Sequence, residues 1–99
     1  MASVADLVEE DELRKLAAAG ELARGSTLAD EGRVRLERFA PLSVTAVVED
    51  GSLFEVGLWV AEGRLVWACT CPAGAGGAFC PHAVAAARET WRRAPRRRR

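Results

Sequence analysis

Residues 69–82 read Cys69-Thr-Cys-Pro-Ala-Gly-Ala-Gly-Gly-Ala-Phe-Cys-Pro-His82. This stretch holds all three cysteines and the only histidine of the 99-residue chain. Together Cys69, Cys71, Cys80 and His82 form a four-ligand set in the order Cys-x-Cys, eight residues, Cys-x-His. Structural zinc sites use such a Cys3His set in tetrahedral geometry. Soft thiolates with an imidazole put zinc first among the candidate metals, with one Zn2+ per chain. A disulfide between two of the cysteines would leave one thiol over and ignore the histidine. A redox pair more usually reads Cys-x-x-Cys near a βαβ pattern, which is absent. A catalytic Cys/His pair needs fewer cysteines than are clustered here.

Each part of the stretch has a physical role. Only Thr70 separates the first two thiols, so the chain must bend for both to face one ion. Pro72 has no N–H to give a ladder and ends any strand there. From Ala73 to Ala78 there is only alanine and glycine, a loop able to fold back closely, with Gly74, Gly76 and Gly77 free to take positive φ. Pro81 suits the first turn of a helix. That places Cys80 at the N-cap and His82 in the first turn. A helix N-terminus favours the thiolate of Cys80, the form that binds metal. Phe79 before the cap and Val84 at the fourth helical position have the spacing of a hydrophobic staple.

The pattern Cys69-x-Cys71-Pro72, a glycine-bearing loop, then Cys80-x-His82 running into an alanine-rich helix resembles the SWIM-type zinc finger. Upstream, Arg24-Gly25 … Glu31-Gly32-Arg33-Val34, followed by alternating apolar residues, is similar to the lead-in of that family. The resemblance covers roughly residues 20 to 93 and implies that Cys69, Cys71, Cys80 and His82 are the zinc ligands. It also implies a setting, since such fingers occur with helicase-like remodelling ATPases, transposase-related proteins and some kinase-linked ubiquitin ligases. The chain carries no such motor, so a detached accessory to a helicase-like ATPase is the implied partner role. Pro81 departs from the family, many of whose members have a basic residue between the last Cys and His. That removes a phosphate-contacting charge beside the metal.

Before the metal stretch the apolar period is two. Val34 and Leu36 alternate with Arg33, Arg35 and Glu37, and Ala40-Pro41 makes a turn. Val44, Ala46 and Val48 are the inner face of a second strand. Asp50-Gly51 is a hairpin signal. Phe54, Val56, Leu58 and Val60 line a third strand. After a turn at Ala61-Glu62-Gly63, Leu65 to Ala68 form a fourth that delivers Cys69. The sequence predicts an antiparallel four-stranded meander with one face on helices and one wet.

Helices precede and follow the strands. Ser3 caps a short helix with Asp6 as the acid three residues on. The sets Val4, Leu7, Val8 and Leu13, Leu16, Ala17 point in nearly opposite directions at helical pitch. A break is therefore expected around Glu9 to Asp11, with Asp11 capping a second helix that ends near Gly20. Glu21 to Glu31 reads as another helix, with Leu22, Ser26 and Ala29 on one side. It carries Gly25, which costs about 1 kcal/mol against alanine. Either the helix kinks there or something packs closely against that glycine. Gly32 is its natural stop. The last helix runs from Pro81 to about Arg93, with Val84, Ala87 and Trp91 on one side. The fold class is α+β: N-terminal helices, the meander, and a zinc knuckle leading into a C-terminal helix. Three segments follow: a helical segment 1–19, a SWIM-like finger 20–93 and a disordered basic tail 94–99.

Length fits one domain, and a core of this size gains from a metal staple. No apolar run is long enough to span a membrane, and the N-terminus lacks the basic-then-apolar order of a signal peptide. Thiols arranged as ligands fit a reducing, cytoplasmic compartment. Net charge is zero, but the first twelve residues hold five acids and no base, and the last eight hold six arginines. A terminal block of like charge is often a nucleic-acid arm. The candidate contacts to DNA or RNA are Arg92, Arg93, Arg96, Arg97, Arg98 and Arg99, with Arg33 and Arg35 as a second patch. Trp59, on the polar side of its strand, is a candidate stacking platform. It also fits simple cover by a helix. Trp67 and Trp91 read as core. No phosphate-binding loop leads to a Walker lysine, and no Ser/His/Asp set is available once His82 is a ligand, so no enzyme activity is expected. Two functions follow: a nucleic-acid-binding or helicase-accessory zinc module, and a protein-interaction module without nucleic-acid contact.

Overall fold

A computed structural model describes residues 3–94. Helices α1 (Glu10–Leu16) and α2 (Ala19–Asp30) follow a short 3-10 helix, Ala5–Val8. Strands β1 (Val34–Ala40), β2 (Ser43–Glu49), β3 (Leu53–Ala61) and β4 (Arg64–Cys69) come next. The one-turn helix α3 (Pro72–Ala75) and helix α4 (Pro81–Arg93) complete the order. The strands pair as an antiparallel meander in the order β1-β2-β3-β4. The α+β class and the meander are as the sequence predicts.

Alternation sets the inner face of the sheet. Val44, Ala46, Val48, Val56 and Leu58 are buried there, while Glu55 and Thr45 point outward. The pairing of β1 with β2 shifts between Leu36 and Arg38, leaving Glu37 without a partner residue. This bulge, with Arg35 and Arg38, blunts an edge strand that would otherwise be a template for another chain. Helix α4 covers the inner face and touches all four strands, the 3-10 helix and α2. Ala83 to Ala87 are all fully buried, the pattern of a helix enclosed nearly all round.

The link between α2 and α4 explains Gly25. A Cβ at that position would lie 2.4 Å from Val84 Cβ and 2.6 Å from the Pro81 carbonyl oxygen. Close packing, rather than a kink, is why a glycine sits inside this helix. Gly32 ends α2 as expected: its φ is +73°. Its N–H bonds the Ala29 carbonyl and the Arg33 N–H bonds the Leu28 carbonyl, which together make a Schellman stop.

Four expectations need correction. Asp11 does not cap the second helix, which starts one residue after an extended Glu9 and ends at Leu16 rather than near Gly20. Ala17 and Ala18 are extended, so Gly20 belongs to the first turn of α2. Of its expected apolar face, Leu13 is buried but Leu16 is exposed, because a helix this short presents one turn to the core. The reciprocal Ser3–Asp6 pair does form: Asp6 accepts from the Ser3 N–H, and the Asp6 N–H donates to Ser3 Oγ. Trp91, read as core, is 38% exposed in the last turn of α4.

Candidate metal centre

Strand β4 ends on Cys69 because the chain is pinned there. The Thr70 N–H bonds the Glu55 carbonyl, and Thr70 Oγ1 accepts from the Glu55 N–H. The main chain then leaves the sheet, and Cys71 becomes the N-cap of α3 with Pro72 at the first position. The Ala/Gly loop thus begins as a helical turn. Of its glycines only Gly77 has positive φ. Gly74 is required for another reason: a Cβ there would lie 2.4 Å from Cys69 Cβ. Its N–H also donates to Cys71 Sγ at 3.2 Å.

The returning half of the loop is anchored by Trp67, whose indole N–H donates to the Gly77 carbonyl at 3.2 Å. Phe79 meets the Trp67 ring edge-on at 4.9 Å. Cys80 is then the N-cap of α4 with Pro81 at its first position, as the sequence predicts, and His82 follows in the first turn.

These elements bring the four predicted residues together. Cys69, Cys71, Cys80 and His82 are buried, and their ligand atoms all lie within 4.8 Å of one another. His82 Nδ1 is 3.8 Å from Cys69 Sγ and 3.9 Å from Cys80 Sγ. A tetrahedral zinc with ordinary bond lengths sets S···N edges of about 3.6 Å and S···S edges of about 3.8 Å. The donor set therefore fits a tetrahedral ion with small adjustments, and all three cysteines are free of disulfides.

The thiols differ in electrostatics. Burial pushes the Cys69 thiol up to about 12. Cys80 is also raised by burial, with the Ala83 amide acting in the other direction. Burial acts to raise Cys71 as well. It is outweighed by the Gly74 N–H and by the neighbouring His82, Cys80 and Cys69, which bring the thiol down to about 7. Cys71 is the thiol best prepared to meet a cation first.

Sequence reasoning missed what surrounds the imidazole. His82 Nε2 is 2.9 Å from Asp50 Oδ2, in the turn between β2 and β3. Arg24 Nη2 reaches both oxygens of that carboxylate, at 2.7 and 2.9 Å. His82 and Arg24 hold the Asp50 carboxyl below its ordinary range. The Phe54 ring stacks on the imidazole at 4.3 Å and 19°. Asp50 was legible only as a turn former, and no spacing rule links it to a histidine 32 residues later.

The candidate nucleic-acid residues do not gather at this centre. Arg33 pairs with Glu31 and Glu49, and Arg35 with Glu37. Arg92 pairs with Asp30 and also donates to the Ala29 carbonyl, and Arg93 pairs with Glu89 at 3.0 Å. Arg96, Arg97, Arg98 and Arg99 lie outside the described residues, as does most of the expected disordered tail. Trp59 is 37% exposed on the outer face of the sheet, its ring beside Gly57. Among the described residues no helix is long and apolar enough to cross a membrane. No protein-family model, curated protein or solved structure matches the chain.

Proposed function

We propose that the chain is a SWIM-like structural zinc module that holds one Zn2+ on Cys69, Cys71, Cys80 and His82. The observation that carries this reading is the convergence of four buried ligand atoms within 4.8 Å. A closed set of four protein ligands is the mark of a structural rather than a catalytic zinc. The imidazole is engaged on one side by the thiols and on the other by Asp50, which leaves it no role as a general base and supports a non-enzymatic reading. Metal analysis of protein prepared under reducing conditions tests it: one zinc per chain is expected, and a Cys80→Ser chain that keeps its zinc would overturn it.

Thiol protonation gives a second test of the same reading. At neutral pH Cys69 and Cys80 are protonated before metal arrives, and Cys71 is near its midpoint. Zinc loading at pH 7 should release about two to three protons per ion, with affinity falling as pH falls. Calorimetry in buffers of differing ionisation enthalpy reads that number directly.

We further propose that the module reaches nucleic acid, as an accessory to a helicase-like ATPase in a cytoplasmic setting, through its C-terminal arginines. The whole chain is neutral and Arg96 to Arg99 carry four positive charges, so the remaining residues carry a net charge of −4. Arg33, Arg35, Arg92 and Arg93 are already paired with carboxylates. That leaves Arg96 to Arg99 as the phosphate contacts, DNA or RNA alike. Four such contacts give a log–log salt slope of about −3.6 on duplex DNA. The slope should collapse in a chain ending at Ala94. An undiminished slope in that chain would sink the proposal.

One observation favours the second reading, a protein-interaction module. Phe39, Leu42 and Trp59 are exposed large apolar residues around the β1–β2 turn, Leu42 within it, Phe39 on the face of Val44 and Trp59 on the opposite face with Ser43. Ser43 pairs with both Ala40 and Trp59, and the Val60 N–H bonds the Leu42 carbonyl. A complex that survives high salt and is lost on Trp59→Ser would select this reading over the first.

A further inference from the structure

We propose that Asp50 and Arg24 are positioning residues for the metal, and that they fix His82 as an Nδ1 ligand. The proposal rests on the zinc-binding reading above and adds the atom through which the imidazole binds and the residues that select it.

The geometry leaves the ring little choice. Its Nδ1 faces the thiols, 3.8 and 3.9 Å from Cys69 and Cys80 Sγ. Its Nε2 faces Asp50 Oδ2 at 2.9 Å. An ionised carboxylate only accepts hydrogen bonds, so a neutral His82 must carry its proton on Nε2. The Nδ1 lone pair is then directed into the cluster of sulfurs. Partners of this kind fix the tautomer and ring orientation of a metal-binding histidine and raise its basicity. Phe54, stacked at 4.3 Å, restrains the ring plane.

Arg24 supplies the other end. It bridges both Asp50 oxygens and so holds the carboxylate in the plane that meets Nε2. The three residues come from α2, the β2–β3 turn and α4. Gly51, with φ +78°, permits the turn that carries Asp50 there. The metal site therefore extends beyond the Cys69–His82 stretch: the hairpin and the first long helix must both be docked for the histidine to bind well. Asn in place of Asp50 keeps an oxygen that accepts from Nε2–H, whereas Ala removes it.

The test compares zinc affinity, by chelator competition, in the whole chain and in Asp50→Ala, Asp50→Asn and Arg24→Gln. Long-range nitrogen NMR of zinc-loaded wild-type protein is recorded beside it. Zinc on Nδ1 with a proton on Nε2 is expected. Asp50→Ala should lose affinity about 10- to 100-fold, with partial rescue in Asp50→Asn and a smaller loss in Arg24→Gln. Wild-type affinity in Asp50→Ala, or a zinc-bound Nε2 in the wild type, overturns the proposal while the zinc module stands. The NMR arm needs no variant, so a misfolded Asp50→Ala does not shield the proposal. A wild-type chain that takes up no zinc overturns the zinc-module reading itself, and this proposal with it.

Discussion

Chelation of the metal is expected to abolish cooperative unfolding of the chain at room temperature. Zinc binding to a small finger supplies on the order of 10 kcal/mol or more of apparent free energy at neutral pH. Whole domains are stable by only about 5–15 kcal/mol. The structure indicates why the effect should spread beyond the loop. The four candidate ligands converge from the end of β4, the turn α3 and the start of α4, so a bound ion would tie these into one point. Helix α4 is also the element that covers the inner face of the sheet and carries α2 on its other side. Releasing its first turn loosens Cys80 to Val84 and, through Pro81 and Val84, the tight contact at Gly25. Ladder hydrogen bonds within the meander survive the loss of the ion, but the face they present is then uncovered. Far-ultraviolet circular dichroism with and without excess chelator, and on Cys80→Ser, checks the prediction. A metal-free chain that still melts cooperatively would falsify it.

Much of this was legible because the local signals agree with one another. Period-two alternation ended at Asp50-Gly51 and Ala61-Glu62-Gly63, and the meander has its turns there. Pro81 after Cys80 announced a helix start, and Cys80 is the N-cap. Long-range partners left no such mark. Asp50 was readable as a turn residue and Arg24 as part of a lead-in, but their meeting at His82 depends on how α2, the hairpin and α4 dock. The two alanines at 17 and 18 are similarly uninformative. Both are good helix formers, yet they are extended, since α1 and α2 must take different directions to bury Leu13 and Leu28. The pairing of Arg33 with Glu49 and of Arg92 with Asp30 was likewise outside reach, because it depends on docking, whereas Glu89–Arg93 is an i,i+4 pair that helical spacing already marks.

Replacing Gly25 by alanine is expected to destabilise the protein by about 2–3 kcal/mol, although alanine is the better helix former. Two effects compete. In an exposed helix the exchange gains about 1 kcal/mol, because glycine loses more backbone freedom on folding. Here the new Cβ would sit 2.4 Å from Val84 Cβ, 2.5 Å from Val84 Cγ1 and 2.6 Å from the Pro81 carbonyl oxygen. None of these is the far end of a flexible side chain: one is main chain, and Val84 is β-branched, fully buried and stiff at χ1. Helices α2 and α4 must therefore move apart, and overpacking of this kind outweighs the propensity gain. For a chain of this size the loss lowers the melting temperature by roughly 10–20 °C. Pro81 lies between the candidate ligands Cys80 and His82, so on the zinc reading metal affinity should fall as well. Gly20 is the matched control. It lies in the same helix with nothing within 4 Å of its would-be Cβ, and Gly20→Ala should be neutral or gain up to about 1 kcal/mol. Thermal melts of the two zinc-loaded variants settle the sign. Equal, small effects at both positions would mean that α2 and α4 are not packed at Gly25 as described.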